Sequence, residues 1–172
     1  MSLEWETAAW SSAVAELWDA FDETPADEAI AAMRALAAAY PGADGRAAFE
    51  LAGMLDSHGR EHEAEREYER ALALGLDAER HAQLAVQYGS TLRNTGRLDD
   101  AIAVLEAAPE HPSTGSSPRV FLALALHSAG RHAEALRVVI EALEPTLPRY
   151  NRSIRAYAAE LTDDAQPASD LR

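Results

Sequence analysis

The chain has 172 residues, 48% of them hydrophobic and 6% aromatic, and a formal net charge of −14; that length fits one compact domain or one short repeat array. All 15 basic residues are arginine and no basic patch is interleaved with aromatics, so neither a nucleic-acid backbone nor an anionic membrane is expected as a partner. The lack of cysteine excludes disulfides, thiolate metal sites and cysteine nucleophiles.

About a fifth of the residues are alanine and long alternating Val/Ile runs are missing, which favours helix over sheet. The N-terminus carries no basic region followed by an apolar run, so no signal peptide is predicted. No stretch reaches the roughly 18 apolar residues of a membrane span. The chain is expected in the cytoplasm, and its Ala/Arg-rich, Lys-free usage points to a GC-rich bacterial source.

A first amphipathic helix is predicted over 3–22. Trp10, Val14, Leu17, Trp18 and Phe21 recur at helical spacing on one face, with Trp5 at the same end. That aromatic face is either the buried edge of an array or a dimer surface. Thr24 and Pro25 are placed to cap and open a second helix, whose stripe is Ile30, Met33, Leu36, Ala37 and Tyr40 and whose end is Pro41-Gly42.

A third helix, over about 44–58 with Asp44 as its cap, carries Ala48, Leu51, Ala52 and Leu55. Its partner, over 61–74, packs through Ala64, Tyr68, Ala71 and Leu72 and turns a charge run to solvent, with Glu63/Arg66 and Glu67/Arg70 as i,i+3 pairs. The next pair spans 77–94, capped by Asp77, and 98–108. Pro109 to Ser116 is the long loop signal. Ser117-Pro118 opens a helix over 117–129, followed by 132–144, which Pro145 stops. A ninth helix over 148–161 turns Tyr150, Ile154, Tyr157, Ala158 and Leu161 inward and its arginines outward, as a polar-backed cap. Residues 162–172 read as a flexible tail.

One pattern recurs between these helices. It reads Gly59-Arg60-Glu61-His62-Glu63-Ala64, Gly96-Arg97-Leu98-Asp99-Asp100-Ala101 and Gly130-Arg131-His132-Ala133-Glu134-Ala135, with glycines 37 and 34 positions apart. A repeat near that period marks a stacked helix–turn–helix array. Glycine ends a helix in the left-handed conformation at no Cβ cost. The acid faces the positive end of the next helix dipole. The alanine lets two helices cross closely. The arginine is expected in solvent or paired with an acid of a neighbouring repeat.

The chain resembles the tetratricopeptide repeat family over residues 10–149. The family's small residue, glycine, alanine, large apolar residue and alanine fall in turn at Ala52, Gly59, Ala64, Tyr68 and Ala71; at Gly89, Gly96, Ala101, Leu105 and Ala108; and at Ala123, Gly130, Ala135, Val139 and Ala142. These define repeats 45–78, 82–115 and 116–149, after a degenerate copy within 6–43 that matches at Ala29, Met33 and Pro41. Each clear copy lacks the family's tryptophan; Ala48, Ala85 and Arg119 stand there. The resemblance implies an all-α, right-handed superhelical stack of about nine helices, forming a single domain over 1–161 with 148–161 as its cap.

It also implies a concave groove that binds a protein or peptide, built from Phe49, Gly53, Val86, Ser90, Arg93, Val120, Leu124 and His127. Phe49, Val86, Val120 and Leu124 stand where relatives that clamp a C-terminal carboxylate use Lys and Asn, so an amphipathic helix or apolar peptide is the better fit. The groove is filled either by a partner or by the protein's own chain, and self-association as a homodimer is the alternative function.

Catalysis, cofactor and metal are not expected. His58 and His62 straddle Gly59, and His127 and His132 straddle Gly130, so neither pair shares a continuous helix. Acids fall on helix starts and outer faces, away from the pocket that acid–base chemistry needs. Phosphate-loop and nucleophile-elbow motifs are missing from the sequence.

Overall fold

The computed structural model describes residues 3–163. Among them are nine α-helices and no strand: α1 (Leu3–Asp19), α2 (Ala26–Ala38), α3 (Arg46–Ser57), α4 (Glu61–Leu74), α5 (Ala78–Asn94), α6 (Leu98–Glu106), α7 (Ser117–Ser128), α8 (His132–Leu143) and α9 (Asn151–Asp163). A single 3₁₀ turn, Glu144–Thr146, separates α8 from α9. The protein is all-α, as its sequence predicts. Thr162, read as the start of the tail, lies inside α9 and accepts a hydrogen bond from Arg137 Nη1 at 2.8 Å. Asp163 also belongs to α9, and residues 164–172 of the expected tail fall outside the described residues.

Consecutive helices pack as pairs, α1 with α2, α3 with α4, α5 with α6 and α7 with α8. The pairs join through α2–α3, α4–α5 and α6–α7, and α5 also touches α3 and α7. Odd-numbered helices therefore form one layer and even-numbered helices the other.

The recurrent pattern builds three equivalent reversals. Gly59, Gly96 and Gly130 have φ of 71°, 83° and 77°, where a side chain is strained. The following amide then reaches back five residues, from Arg60 to the Leu55 carbonyl, Arg97 to Leu92 and Arg131 to Leu126, each at 2.9 Å. That bond satisfies a carbonyl which the helix end otherwise orphans. Ala29, Ala64 and Ala101 are fully buried and Ala135 nearly so. The arginine has a local partner, the acid three residues on: Arg60 Nε lies 2.8 Å from Glu63, Arg97 Nε 2.8 Å from Asp100 and Arg131 Nε 2.7 Å from Glu134. Glu63 accordingly pairs with Arg60 and, across the seam, with Arg34 of α2 at 2.6 Å rather than with Arg66. Glu67 and Arg70 do pair, at 3.2 Å.

The core runs the length of the stack. Tyr68 is its largest fully buried side chain; its ring lies 5.6 Å from that of Tyr88 and its hydroxyl donates to Gln87 Oε1 at 3.2 Å. The aromatic face of α1 is the buried edge of this core. Trp10 and Val14 are buried, and the Trp10 indole donates to the Leu36 carbonyl at 2.7 Å. Leu17, Trp18 and Phe21 are half-buried, and Trp5, at the same end, is 57% exposed.

The capping pattern departs from expectation in three places. Asp77 caps α5 through the Arg80 amide at 3.0 Å, as predicted. Thr24 instead donates back to the Ala20 carbonyl at 2.8 Å, leaving Pro25 at the start of α2 without a side-chain cap. Ser116, not Ser117, precedes α7, again with no side-chain cap. Gly45, not Asp44, directly precedes α3, and a Cβ there would collide with the Ala71 carbonyl. Asp44 still receives the Arg46 amide at 3.1 Å.

The C-terminal cap is also not as predicted. On α9, Ala158 is buried and Ile154 and Leu161 are half-buried, but Tyr150 and Tyr157 face solvent, 75% and 65% exposed.

Candidate partner-binding groove

The layer of odd-numbered helices presents the face to which the sequence assigns binding. Cross-helix bonds hold it in order. The Trp18 indole of α1 donates to Glu50 Oε2 of α3 at 2.9 Å. The Tyr68 hydroxyl of α4 donates to Gln87 Oε1 of α5 at 3.2 Å. Arg93 Nε of α5 donates to Ser128 Oγ of α7 at 2.9 Å.

A hollow of about 400 Å³ opens among Trp18, Glu50, Gly53, Asp56, Gln83 and Gln87. Gly53 supplies the room. A Cβ there would lie 3.4 Å from the Trp18 ring and 3.7 Å from Gln87 Oε1, in ordinary contact with both. Burial pushes the Glu50 carboxyl above its usual range, against the Trp18 hydrogen bond and the Arg80 charge. Burial likewise raises Asp56, against its bond from Thr91, and the nearby Glu61 charge adds to the rise. Burial thus leaves the hollow with two carboxyls that are harder to ionise than usual.

The sequence-assigned residues divide into two sets. Phe49 and Val86 are buried, 6% and 8% exposed, and of the two Phe49 belongs to the lining of the hollow. Gly53 is buried beneath the hollow, Ser90 is half-buried, and Arg93 is tied to Ser128 and, at 3.3 Å, to Asn94. Val120 and Leu124 stand one turn apart on α7 and are exposed, 45% and 42%. His127, a further turn along, is exposed as well. The apolar part of the groove therefore lies on α7 and the polar part between α1, α3 and α5.

Of the residues lining the hollow, only Phe49 and Gly53 are in the sequence assignment; Trp18, Glu50 and Gln87 are among those that escape it. Trp18 stands in the first, degenerate copy where Gly53, Ser90 and Leu124 stand in the later ones. That copy lacks the glycine that marks the register, so the equivalence is hidden. Glu50 and Gln87 sit next to assigned positions and carry no signal of their own.

His127 and His132 lie on separate helices, as expected, and the left-handed turn at Gly130 folds the chain back so that their Nδ1 atoms come to 2.9 Å. His58 stacks on Phe21 at 4.7 Å between ring centres, and its Nε2 is buried without a hydrogen-bond partner, while His62 faces Glu65 at 3.7 Å. Among the described residues no group of three or more His, Cys, Asp or Glu is placed to hold a metal ion. Nor is any described helix long and apolar enough to cross a membrane.

A larger hollow, about 800 Å³, lies where α6 ends and α7 begins, between Pro109–Pro112 and the end of α8 at Glu141, Ala142 and Pro145. Its walls combine the connection between two repeats with the ends of α6 and α8 and the first turns of α7, at Pro118, Arg119 and Leu122.

A protein-family model described as tetratrico peptide repeat matches residues 45–161, more than half of the chain. Neither the curated proteins nor the solved structures compared with the chain gave a match.

Proposed function

The chain belongs to the tetratricopeptide repeat family, and from that premise we propose that it is a non-catalytic scaffold whose layer of odd-numbered helices holds a segment of a partner protein. The observation that carries this reading is the pair Val120 and Leu124, two large aliphatic side chains one turn apart and nearly half exposed beside the Arg93–Ser128 bridge. Paired apolar residues at that spacing suit the apolar face of a helix or an extended apolar peptide. The hollow at Trp18 and Gly53 favours a basic residue in the same ligand, because Glu50 and Asp56 gain a counter-charge there.

A random peptide library panned against the wild-type chain and against the double variant V120D/L124D tests the proposal. Both positions are exposed, so the variant keeps its helicity. Wild type enriches peptides that pair apolar residues with Arg or Lys, and those peptides slow amide exchange in α5 and α7. Peptides that bind the variant equally well, or no enrichment on wild type, overturn the assignment of the groove.

A further inference from the structure

The three reversals can be compared position by position. Three residues before the glycine stand Asp56, Arg93 and His127; two residues after it stand Glu61, Leu98 and His132. Those two positions face one another across the turn. In the first reversal the Glu61 charge acts on Asp56. In the third, both positions are imidazoles.

A spacing of five around a glycine is not the i,i+4 spacing by which one helix offers two histidines to a metal ion. The turn supplies what the spacing lacks. Gly130 is left-handed, its amide bonds the His127 carbonyl at 3.0 Å, and the Arg131 amide bonds the Leu126 carbonyl at 2.9 Å. These bonds fix the last turn of α7 against the first turn of α8. Both rings are exposed, with centres 4.6 Å apart and planes inclined at 49°. Their Nδ1 atoms lie 2.9 Å apart, so one Nδ1–H donates to the lone pair of the other. When the donating ring instead carries its proton on its own Nε2, it remains neutral and two Nδ1 lone pairs stand side by side.

The separation selects the ion. Metal–imidazole bonds are about 2.0–2.1 Å long. Two such bonds from nitrogens 2.9 Å apart meet at about 90°. That is the angle between neighbouring ligands in square-planar and octahedral coordination, as at copper(II) and nickel(II). Tetrahedral zinc opens the angle to about 109° and needs nitrogens roughly 3.3–3.4 Å apart.

The charge around the pair admits a cation. Arg131 is bound to Glu134 at 2.6 Å, and the charges of Asp99 and Glu106 also act on it. Arg93 is turned to Ser128 and Asn94. The chain as a whole, at −14, draws cations to its surface.

We propose that His127 and His132 form a two-point site for a divalent transition-metal ion of right-angled coordination, nickel(II) or copper(II), with water at the remaining positions. The ion ties the end of α7 to the start of α8. His127 is also a groove residue, but the site needs nothing bound in the groove and stands apart from that assignment.

The test is calorimetric titration of the full chain, stripped with chelator and free of any histidine tag, with nickel(II), copper(II) and zinc(II) in a buffer that does not bind metal. Wild type takes up one ion per chain, copper most tightly and nickel more tightly than zinc. A group that merely supports a ligand is worth about 10–100-fold in metal affinity, so H127A and H132A each lose about tenfold or more. H62A removes an imidazole that is 83% exposed and loses nothing. All three side chains are exposed, so circular dichroism stays unchanged. Paramagnetic resonance of the copper(II)-loaded wild type shows two imidazole nitrogens, and that of H132A shows one. Affinity that is unchanged in H127A or H132A overturns the proposal, as does zinc bound more tightly than nickel. So does an equal loss in H62A, which would mean indiscriminate capture by exposed imidazoles.

Discussion

Arg97 Nη1 lies 2.9 Å from Glu65 Oε2 across the seam between successive repeats, while its Nε holds Asp100 of its own repeat at 2.8 Å. One arginine of the recurrent pattern thus pins both the start of α6 and the outer face of α4. Burial of Glu65 works to raise its pKa, but hydrogen bonds from Thr95 and Arg97 outweigh that and hold it below the usual range. A carboxyl depressed in the folded state contributes stability that is present above its unfolded value and is lost as pH falls through the folded one. Replacing Arg97 with Ala therefore lowers the melting temperature at neutral pH. The difference from wild type shrinks as pH drops below about 4.5, the ordinary glutamate range. Arg131, whose bridge to Glu134 stays within one repeat, gives the smaller loss on the same substitution. Thermal melts of the two variants between neutral and acid pH check the ranking and the sign.

Gly96 and Gly45 separate two reasons for glycine. At Gly96 the backbone is left-handed and open space surrounds the missing Cβ. Gly96→Ala costs about 1–2 kcal/mol, the price of the conformation alone. At Gly45 φ is −77°, which any residue adopts, but a Cβ collides with the Ala71 backbone. Gly45→Ala forces α3 away from α4, at the upper end of the 1–3 kcal/mol typical of overpacking or beyond it. Urea unfolding places Gly45→Ala as the less stable of the two; the reverse order contradicts the close approach.

These two glycines also mark what the amino-acid sequence discloses and what it does not. A left-handed turn is a local demand, and Gly59, Gly96 and Gly130 declare it by identity and spacing. The small alanines after them declare close crossings in the same way. Gly45 depends on which backbone comes near, and that is settled only by the assembled pair. The groove follows the same division. Val120 is open and Phe49 and Val86 are closed because of the neighbours of each helix, although all three are apolar residues in equivalent registers. Trp18 was hidden by a first repeat that reverses through Thr24-Pro25 instead of Gly-Arg. Tyr157 points outward because the 3₁₀ turn at Glu144–Thr146 and the left-handed Tyr150, φ 73°, set the entry of α9; neither is written in helical periodicity.

Ala101 tests the crossing. It is fully buried within the α5–α6 pair, where a Cβ on Gly89 would come 2.5 Å from Leu105. The two helices are thus already in tight contact. Ala101→Leu inserts three carbons into that contact and costs about 1–3 kcal/mol. For a domain of this size the loss lowers the melting temperature by roughly 2–4 °C per kcal/mol. A substitution within ±0.5 kcal/mol of wild type would show that the crossing has room to spare.

Asp44 makes the sharpest pH prediction. The Arg46 guanidinium bonds it at 2.9 Å and holds its carboxyl down at about 2, with the Arg46 amide and the Tyr40 hydroxyl helping against burial. The unfolded value is the ordinary 3.8. Because the folded pKa is the lower one, the stabilisation is present above about pH 4 and disappears as pH falls toward about 2. The side chain is 41% exposed, so solvent screening limits the contribution to about 0.5–1 kcal/mol. Asp44→Asn removes it, and the wild-type and variant stability curves converge as pH drops through that window. Tyr40 reports the same cluster from the other side. Burial and the Asp44 bond push its hydroxyl up to about 12. In Asp44→Asn that rise is reduced, and a spectrophotometric titration shows the Tyr40 phenolate forming at lower pH. Convergence of the stability curves without a change in the tyrosine titration would confine the effect to the Arg46 bridge.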